Sequence, residues 1–126
     1  MAPLQNWQLA VIDPGKLSAY ALNPDHSDNH EKWQAFAAVG YVVLTSSQRE
    51  RAASDIAPAI LENLSNSEAI FQGETRWGRR YGVRIRLTGP NGSVATAVTV
   101  WQYDYDNSAP RLLTLWLQVH TDGESR

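Results

Sequence analysis

An imidazole and an amine lie near each other in the first third of the chain. The segment Leu22-Asn23-Pro24-Asp25-His26 is followed six residues later by Lys32. An imidazole can accept and donate a proton near neutral pH, and an ammonium group can hold a phosphate. These groups support metal-free cleavage of RNA, in which the ribose 2′-hydroxyl attacks its own phosphate and no protein nucleophile is needed. A turn-capping histidine and a solvated helix lysine are the alternatives.

Arginine is concentrated in the second half of the chain. Arg84 and Arg86 alternate with apolar residues in the stretch from Tyr81 to Leu87, so they share one face of a predicted strand. The planar guanidinium pairs with phosphate or carboxylate, and this favours anion recognition. Solubility and salt bridges to a partner explain the arginines nearly as well.

Two further sets of strand residues combine aromatic rings with hydroxyls or amides. They are Thr99, Trp101 and Tyr103 in one strand, and Thr114, Trp116 and Gln118 in another. Strand register decides whether these sets share a face with Arg84 and Arg86. A shared face would suit single-stranded RNA, with Trp101 as a platform for a base. Core packing of the tryptophans is the alternative.

Capping patterns predict three helices in the front half of the chain. Their starts are Asp13 before Pro14, Asp28 with Glu31 three residues later, and Ser47 with Glu50 three residues later. Asn23-Pro24 predicts the end of the first helix and Gly40 the end of the second. Pro58 is expected to kink or split the third, because proline lacks the backbone donor.

Strand patterns follow the helices. Predicted strands cover Ala69 to Arg76, residues 80–87, Ser93 to Tyr105 and Arg111 to His120, with a turn at Gly89-Pro90-Asn91-Gly92. This order predicts an α+β fold, with N-terminal helices followed by an antiparallel sheet of about four strands. We expect one domain over residues 1–126, with an ordered core from about residue 8 to about residue 120.

Composition excludes several classes of protein. The chain has 126 residues, a net charge of −2 and no cysteine, so it has no disulfide and no thiolate metal site. Phosphate-loop, dinucleotide and zinc-protease motifs are missing. We expect no cofactor and no metal, although His26 and His30 are four residues apart. No apolar run reaches the roughly 18 residues of a membrane span, and no signal peptide is evident, so we expect a cytoplasmic protein.

A longer pattern resembles a bacterial and cyanobacterial domain family of unknown function, which occurs alone and at the C-terminal tips of polymorphic toxins. The pattern consists of Lys16-Leu17-x-x-Tyr20-x-Leu22-Asn23-Pro24-x-His26, Lys32-x-x-x-Phe36, Gly40-Tyr41, Gly92, Val100-Trp101 and Pro110-Arg111-Leu112-x-Thr114. The chain departs from the family at Ser27–His30 and at Trp33. Such domains are similar to the ribonuclease superfamily that includes barnase, EndoU, colicin ribonucleases and RelE.

The resemblance implies a site made of His26, Lys32, Arg111 and Thr114, and Arg84, Arg86 and Trp101 are added as substrate-binding candidates. The first hypothesis is a metal-independent endoribonuclease-like toxin domain that binds RNA and is held in check by an inhibitor or antitoxin protein. The alternative is a non-catalytic protein-interaction module of a toxin–antitoxin or related bacterial system, which binds through its sheet face or an exposed edge strand.

Overall fold

Two helices pack on one face of a four-stranded antiparallel sheet. The computed structural model describes residues 2–13, 15–24 and 32–120. Its α-helices are α1 (Lys32–Ala38) and α2 (Ser46–Asn63), and its strands are β1 (Ala69–Thr75), β2 (Gly78–Thr88), β3 (Val94–Asp104) and β4 (Arg111–Val119). The sheet order is β1-β2-β3-β4. The predicted α+β fold, with helices before an antiparallel sheet of four strands, is confirmed.

Three short helical segments also occur in the described residues, at Trp7–Leu9, Lys16–Ala21 and Leu64–Asn66. The segment Lys16–Ala21 follows the predicted cap, where the Asp13 carboxylate accepts the Gly15 backbone N–H at 2.9 Å. It is wound more widely than an α-helix, because the N–H of Leu22 donates to the carbonyl of Leu17 five residues earlier. The predicted helix start at Asp28 and Glu31 lies outside the described residues.

Helix α2 begins earlier than predicted. Thr45 caps it: the Thr45 hydroxyl accepts the Gln48 backbone N–H, and the Gln48 side chain accepts the Thr45 backbone N–H. Ser47 with Glu50 repeats the same spacing two residues later, but the extended backbone of Thr45 places the boundary before Ser46. The start predicted from Ser47 and Glu50 was therefore wrong by two residues.

Pro58 does not split α2, which runs unbroken to Asn63. Ile56 and Ile60, on either side of the proline, are both fully buried. Their packing holds the two flanking turns in place despite the missing backbone donor. Within the described ranges, no helix combines the length and apolar content needed to cross a membrane.

One extra residue in β4 determines which of its side chains enter the core. Thr114 pairs with Val100 and Leu112 pairs with Trp101, which leaves Leu113 without a partner in β3. This bulge shifts the alternation of the strand by one residue. Leu112 therefore faces the core although it is three residues from Leu115, which is also buried.

The two faces of the sheet differ in chemistry. The face towards the helices carries Val83 and Ile85 from β2 and Leu115 from β4, which join α2 in the core. Trp101 also lies on this face, with none of its surface exposed, and its indole N–H donates to the Thr99 hydroxyl at 2.8 Å. The opposite face, which we call the outer face, carries mainly polar and charged side chains.

Because Trp101 is an interior residue, Trp101→Ala should lower the free energy of unfolding by about 3–5 kcal/mol. The matched control is Trp77→Ala, since Trp77 is 58% exposed in the turn between β1 and β2. That control should cost less than about 0.5 kcal/mol. Urea denaturation followed by circular dichroism measures both values, and equal losses in the two variants would contradict this placement of Trp101.

Candidate functional site

Residues from the last three strands form cross-strand rows on the outer face. The pairing gives the rows Arg80–Gln102–Arg111, Gly82–Val100–Thr114, Arg84–Val98–Trp116 and Arg86–Thr96–Gln118. Neighbouring rows are about 7 Å apart along the strands, and neighbouring strands are about 5 Å apart. The rows bring residues that are distant in sequence onto one surface, and they concentrate arginine on it.

Lys32 and Thr114 are in direct contact. The Lys32 Nζ donates to the Thr114 Oγ1 at 2.9 Å, across 82 positions of sequence. Helix α1 lies beside the edge strand β4, which brings its first residue to this strand. Because an ammonium can only donate, the Thr114 oxygen is the acceptor and its own proton is directed towards another group. The pair therefore presents a positive charge next to a hydroxyl donor.

Arg111 is held in place by an acid. Its Nε donates to the Asp104 Oδ2 at 2.7 Å and its Nη2 donates to the Asp104 Oδ1 at 3.2 Å, a two-point contact. The Gln102 side chain donates to the same carboxylate at 2.6 Å. The hydrogen bonds from Arg111 and from Gln102 lower the pKa of Asp104, and the same pairing raises the pKa of Arg111. The guanidinium is thus fixed and fully charged.

The bulge at Leu113 puts Arg111 and Thr114 on the same face. Simple alternation would place them on opposite faces, since they are three residues apart. With the bulge they lie opposite Gln102 and Val100, two successive outer-face positions of β3. Their backbones are therefore about 7 Å apart. One phosphate with a hydrogen bond of about 3 Å on each side spans such a gap. We call Lys32, Thr114, Arg111 and Asp104 the Lys32 cluster.

Three of the four residues predicted to be catalytic thus lie in one region, and the fourth, His26, lies outside the described residues. Arg84 and Arg86 share one face, as strand parity predicted, and the register places Thr114 on that face too. Arg84 donates through Nη2 to the Gln118 side-chain oxygen. The prediction that Trp101 binds substrate was wrong. The strand register places Thr99, Trp101 and Tyr103 on the face towards the helices, and the Trp101 ring is fully buried, so it cannot stack on a substrate.

Sequence reasoning overlooked other outer-face groups. A side chain at Gly82 would meet the Gln72 amide, which places that amide over the glycine. His120 follows β4, and its Nε2 lies 2.8 Å from the Thr96 hydroxyl. Six residues separate His120 from Thr114, which is about 20 Å along a strand. His120 therefore cannot share a phosphate with Lys32. Extending the alternation of Thr114, Trp116 and Gln118 by two residues would have placed His120 on the same face.

Metal-binding groups are not clustered in the described part of the chain. Residues 2–13, 15–24 and 32–120 contain no group of three or more histidine, aspartate or glutamate side chains arranged to hold a metal ion. The positive charges of the Lys32 cluster are themselves suited to stabilise an anion.

The chain belongs to a protein family described as Domain of unknown function (DUF6883), whose model matches residues 3–119. No curated protein sequence shows significant similarity to it. Among solved structures, it is similar to a chain of a contact-dependent growth inhibition toxin – immunity protein complex from Klebsiella pneumoniae 342. The TM-score is 0.60 at 14% identity, over 86% of this chain and 99% of the other. At this identity the likeness shows a shared fold.

The pairing of Asp104 with Arg111 should make stability depend on pH. Because the folded pKa of Asp104 is lowered, its contribution is present above the ordinary carboxyl pKa of about 3.9 and is lost as the pH falls through the folded value. At pH 7, Asp104→Asn should lower the free energy of unfolding by at most about 1 kcal/mol, since both side chains are partly exposed. Denaturant titrations from pH 7 to pH 2.5 test this.

The difference between Asp104→Asn and the unmodified protein should shrink as the pH falls below the ordinary carboxyl pKa of about 3.9, because protonation of Asp104 removes the charge that the pair needs. The control is Asp106→Asn, an exposed carboxylate two residues away, which should change stability by less than about 0.5 kcal/mol at pH 7. A deficit of Asp104→Asn that stays constant down to pH 2.5 would mean that the ionised pair is not its cause.

Proposed function

We propose that this chain is a metal-independent endoribonuclease-like toxin domain that cleaves RNA through attack of the ribose 2′-hydroxyl on the adjacent phosphate. The contact between Lys32 and Thr114 carries the proposal, because it joins a helix residue and a last-strand residue on an arginine-rich face. The family resemblance implied Lys32 and Thr114 as site residues before any geometry was known, and the two side chains are neighbours.

Each residue of the Lys32 cluster has a distinct role in this reaction. Attack of the 2′-oxygen produces a phosphorane with more negative charge on its free oxygens than the starting diester. Lys32 and Arg111 neutralise that charge, and the Thr114 hydroxyl donates a hydrogen bond to one oxygen. Asp104 keeps the Arg111 guanidinium oriented. Fixed donors of this kind favour the transition state because they need no reorganisation during the reaction.

Proton transfer is assigned to His26. A general base removes the proton from the 2′-hydroxyl, and a general acid protonates the departing 5′-oxygen. His120 is excluded by its distance of about 20 Å from Thr114 along β4. The assignment of His26 rests on its spacing from Lys32 and on the family resemblance.

The toxin part of the proposal is supported by two comparisons. The family pattern resembles domains at the tips of polymorphic toxins, and the structural neighbour comes from a complex of a contact-dependent growth inhibition toxin with its immunity protein. A toxic nuclease requires an inhibitor in the cell that makes it, so we also propose a protein partner. RNA is the proposed substrate because the outer face combines cations, hydroxyls and an aromatic ring.

Purified protein should cleave total tRNA in the presence of EDTA and leave fragments that end in 2′,3′-cyclic phosphate. His26→Ala and Lys32→Met should each reduce the rate by about 100-fold or more, through loss of proton transfer and of phosphate stabilisation. The control is Arg51→Ala, which removes an exposed cation from α2 on the other side of the sheet. Gel electrophoresis and end-group analysis measure the outcome.

Intact tRNA at micromolar protein would contradict the proposal. Cleavage at equal rates by the Lys32→Met and Arg51→Ala variants would place the active site elsewhere, and fragments without cyclic phosphate ends would exclude attack by the 2′-hydroxyl.

A second candidate function is protein binding at the edge strand β1. The edge of β4 is partly covered, since the backbone of Val11 pairs with Pro110 and Leu112. β1 is the other edge of the sheet, and two of its apolar side chains, Ile70 and Phe71, are more than half exposed. The β1 edge is occupied at Ala69, whose backbone N–H donates to the Ala2 carbonyl at 2.8 Å. Exposed apolar groups on the rest of an edge strand are typical of surfaces that accept a strand from a partner.

In this second case, Phe71→Glu should weaken the complex with the product of an adjacent gene by at least about fivefold, because aromatic anchors at interfaces contribute about 1 kcal/mol or more. The control is Leu44→Glu, which changes a more exposed apolar residue in the loop before α2. Isothermal titration calorimetry gives both affinities. Binding that is weakened by Lys32→Met instead of Phe71→Glu would indicate an inhibitor that covers the Lys32 cluster.

A further inference from the structure

Trp116 is the aromatic residue that register places beside the Lys32 cluster. It lies on the outer face two residues beyond Thr114, about 7 Å along β4. Its indole is partly exposed, in contrast to the buried ring of Trp101. A partly exposed tryptophan on the outer face leaves part of its ring in contact with solvent, where a flat ligand can stack on it.

The outer face around Trp116 is low and closely packed. Val98 is the middle residue of its row, and although its side chain points to the outer face it is only 7% exposed. Neighbouring side chains therefore cover Val98, and it offers little apolar area to a ligand. The next row contains Val100 and Gly82, so the surface is low there, and the Gln72 amide lies above the glycine. The exposed part of the Trp116 indole is therefore the surface on which an aromatic ring can stack.

Cationic side chains lie in the row of Trp116 and in the row next to it. Arg84 is held by the Gln118 side-chain oxygen, and Arg86 follows in the next row. A guanidinium that is fixed through one nitrogen keeps other donors for a phosphate. An aromatic plane next to oriented cations is the combination with which proteins bind single-stranded nucleic acid, because the ring stacks on a base and the cations contact the backbone.

We propose that Trp116 and Arg84 form a nucleotide-binding subsite for single-stranded RNA, in which the indole stacks on the base that adjoins the phosphate at the Lys32 cluster and Arg84 contacts the next phosphate. The position of that scissile phosphate rests on the proposed function, whereas binding at Trp116 does not. The spacing of one row between Thr114 and Trp116 allows one strand of RNA to contact both.

The test uses 2′-O-methyl oligonucleotides, which cannot be cleaved because the attacking hydroxyl is blocked. Fluorescence anisotropy with a labelled hexanucleotide should show a dissociation constant about tenfold higher for Trp116→Leu, the loss expected for one stacked base. The matched control is Trp77→Leu, which removes an exposed tryptophan from the turn between β1 and β2 and should leave affinity unchanged. Equal affinities for the two variants would overturn the proposal.

A base-deleted oligonucleotide series identifies the nucleotide concerned. Removing the base that stacks on Trp116 should weaken binding by the unmodified protein about tenfold and should cause no further loss in Trp116→Leu. Arg84→Gln should reduce the slope of log affinity against log salt by about 0.7, the value for one phosphate contact on a single strand. If polyglutamate competes as well as RNA of equal charge, the face recognises charge alone and the subsite is refuted.

The two proposals fail in different ways. Absence of tRNA cleavage together with Trp116-dependent binding would remove the nuclease function and leave the subsite. Cleavage that depends on Lys32, together with RNA affinity that is unchanged in Trp116→Leu, would support the nuclease function and refute the subsite. Trp116→Phe, which keeps a ring, should retain most of the affinity, and this variant guards against a folding defect in Trp116→Leu.

Discussion

The unpaired Leu113 in β4 is the feature on which the rest of the site depends. An alternating strand sends residues three apart to opposite faces, so without the bulge only one of Arg111 and Thr114 could face solvent. The bulge lets Leu112 and Leu115 both enter the core while Arg111 and Thr114 both face outwards. One local irregularity thus satisfies the core and assembles a polar cluster, and bulges next to functional sites commonly redirect side chains in this way.

The same division explains why the sheet can carry so much charge on one side. Its inner face is covered by the helices and contributes the apolar burial that stabilises the fold. The outer face is then free to hold cations whose mutual repulsion is limited by solvent and by Asp104. Among the described strand residues of that face, Asp104 is the one acid, and its carboxylate is paired with Arg111. The face therefore keeps an excess of positive charge although the whole chain is slightly negative.

The order of elements was predictable from sequence because each element has a local signal. Alternation from Tyr81 to Leu87 and the turn at Gly89-Pro90 place β2 and β3 within one or two residues of the observed bounds. Parity also grouped Arg84 with Arg86 correctly. Which groups share a face depends on pairing between distant strands, and no local pattern reports it.

The environments of Trp101 and Thr114 could not be predicted from the sequence. Parity within β3 could not tell whether Trp101 faces solvent or the core, and the register decided for the core. The contact of Lys32 with Thr114 joins residues 82 positions apart, and only the resemblance had grouped the two in one site. The bulge has no signal in composition, although the spacing of Leu112 from Leu115 is compatible with it.

The most direct test of the account is a crystal structure of the protein with a 2′-deoxy dinucleoside phosphate, which lacks the attacking hydroxyl and persists in the site. The account predicts a phosphate within about 3 Å of the Lys32 Nζ and the Thr114 Oγ1, with the Arg111 guanidinium on its other side. A phosphate bound away from β4, or a bound ligand whose phosphate contacts neither Lys32 nor Thr114, would contradict this prediction.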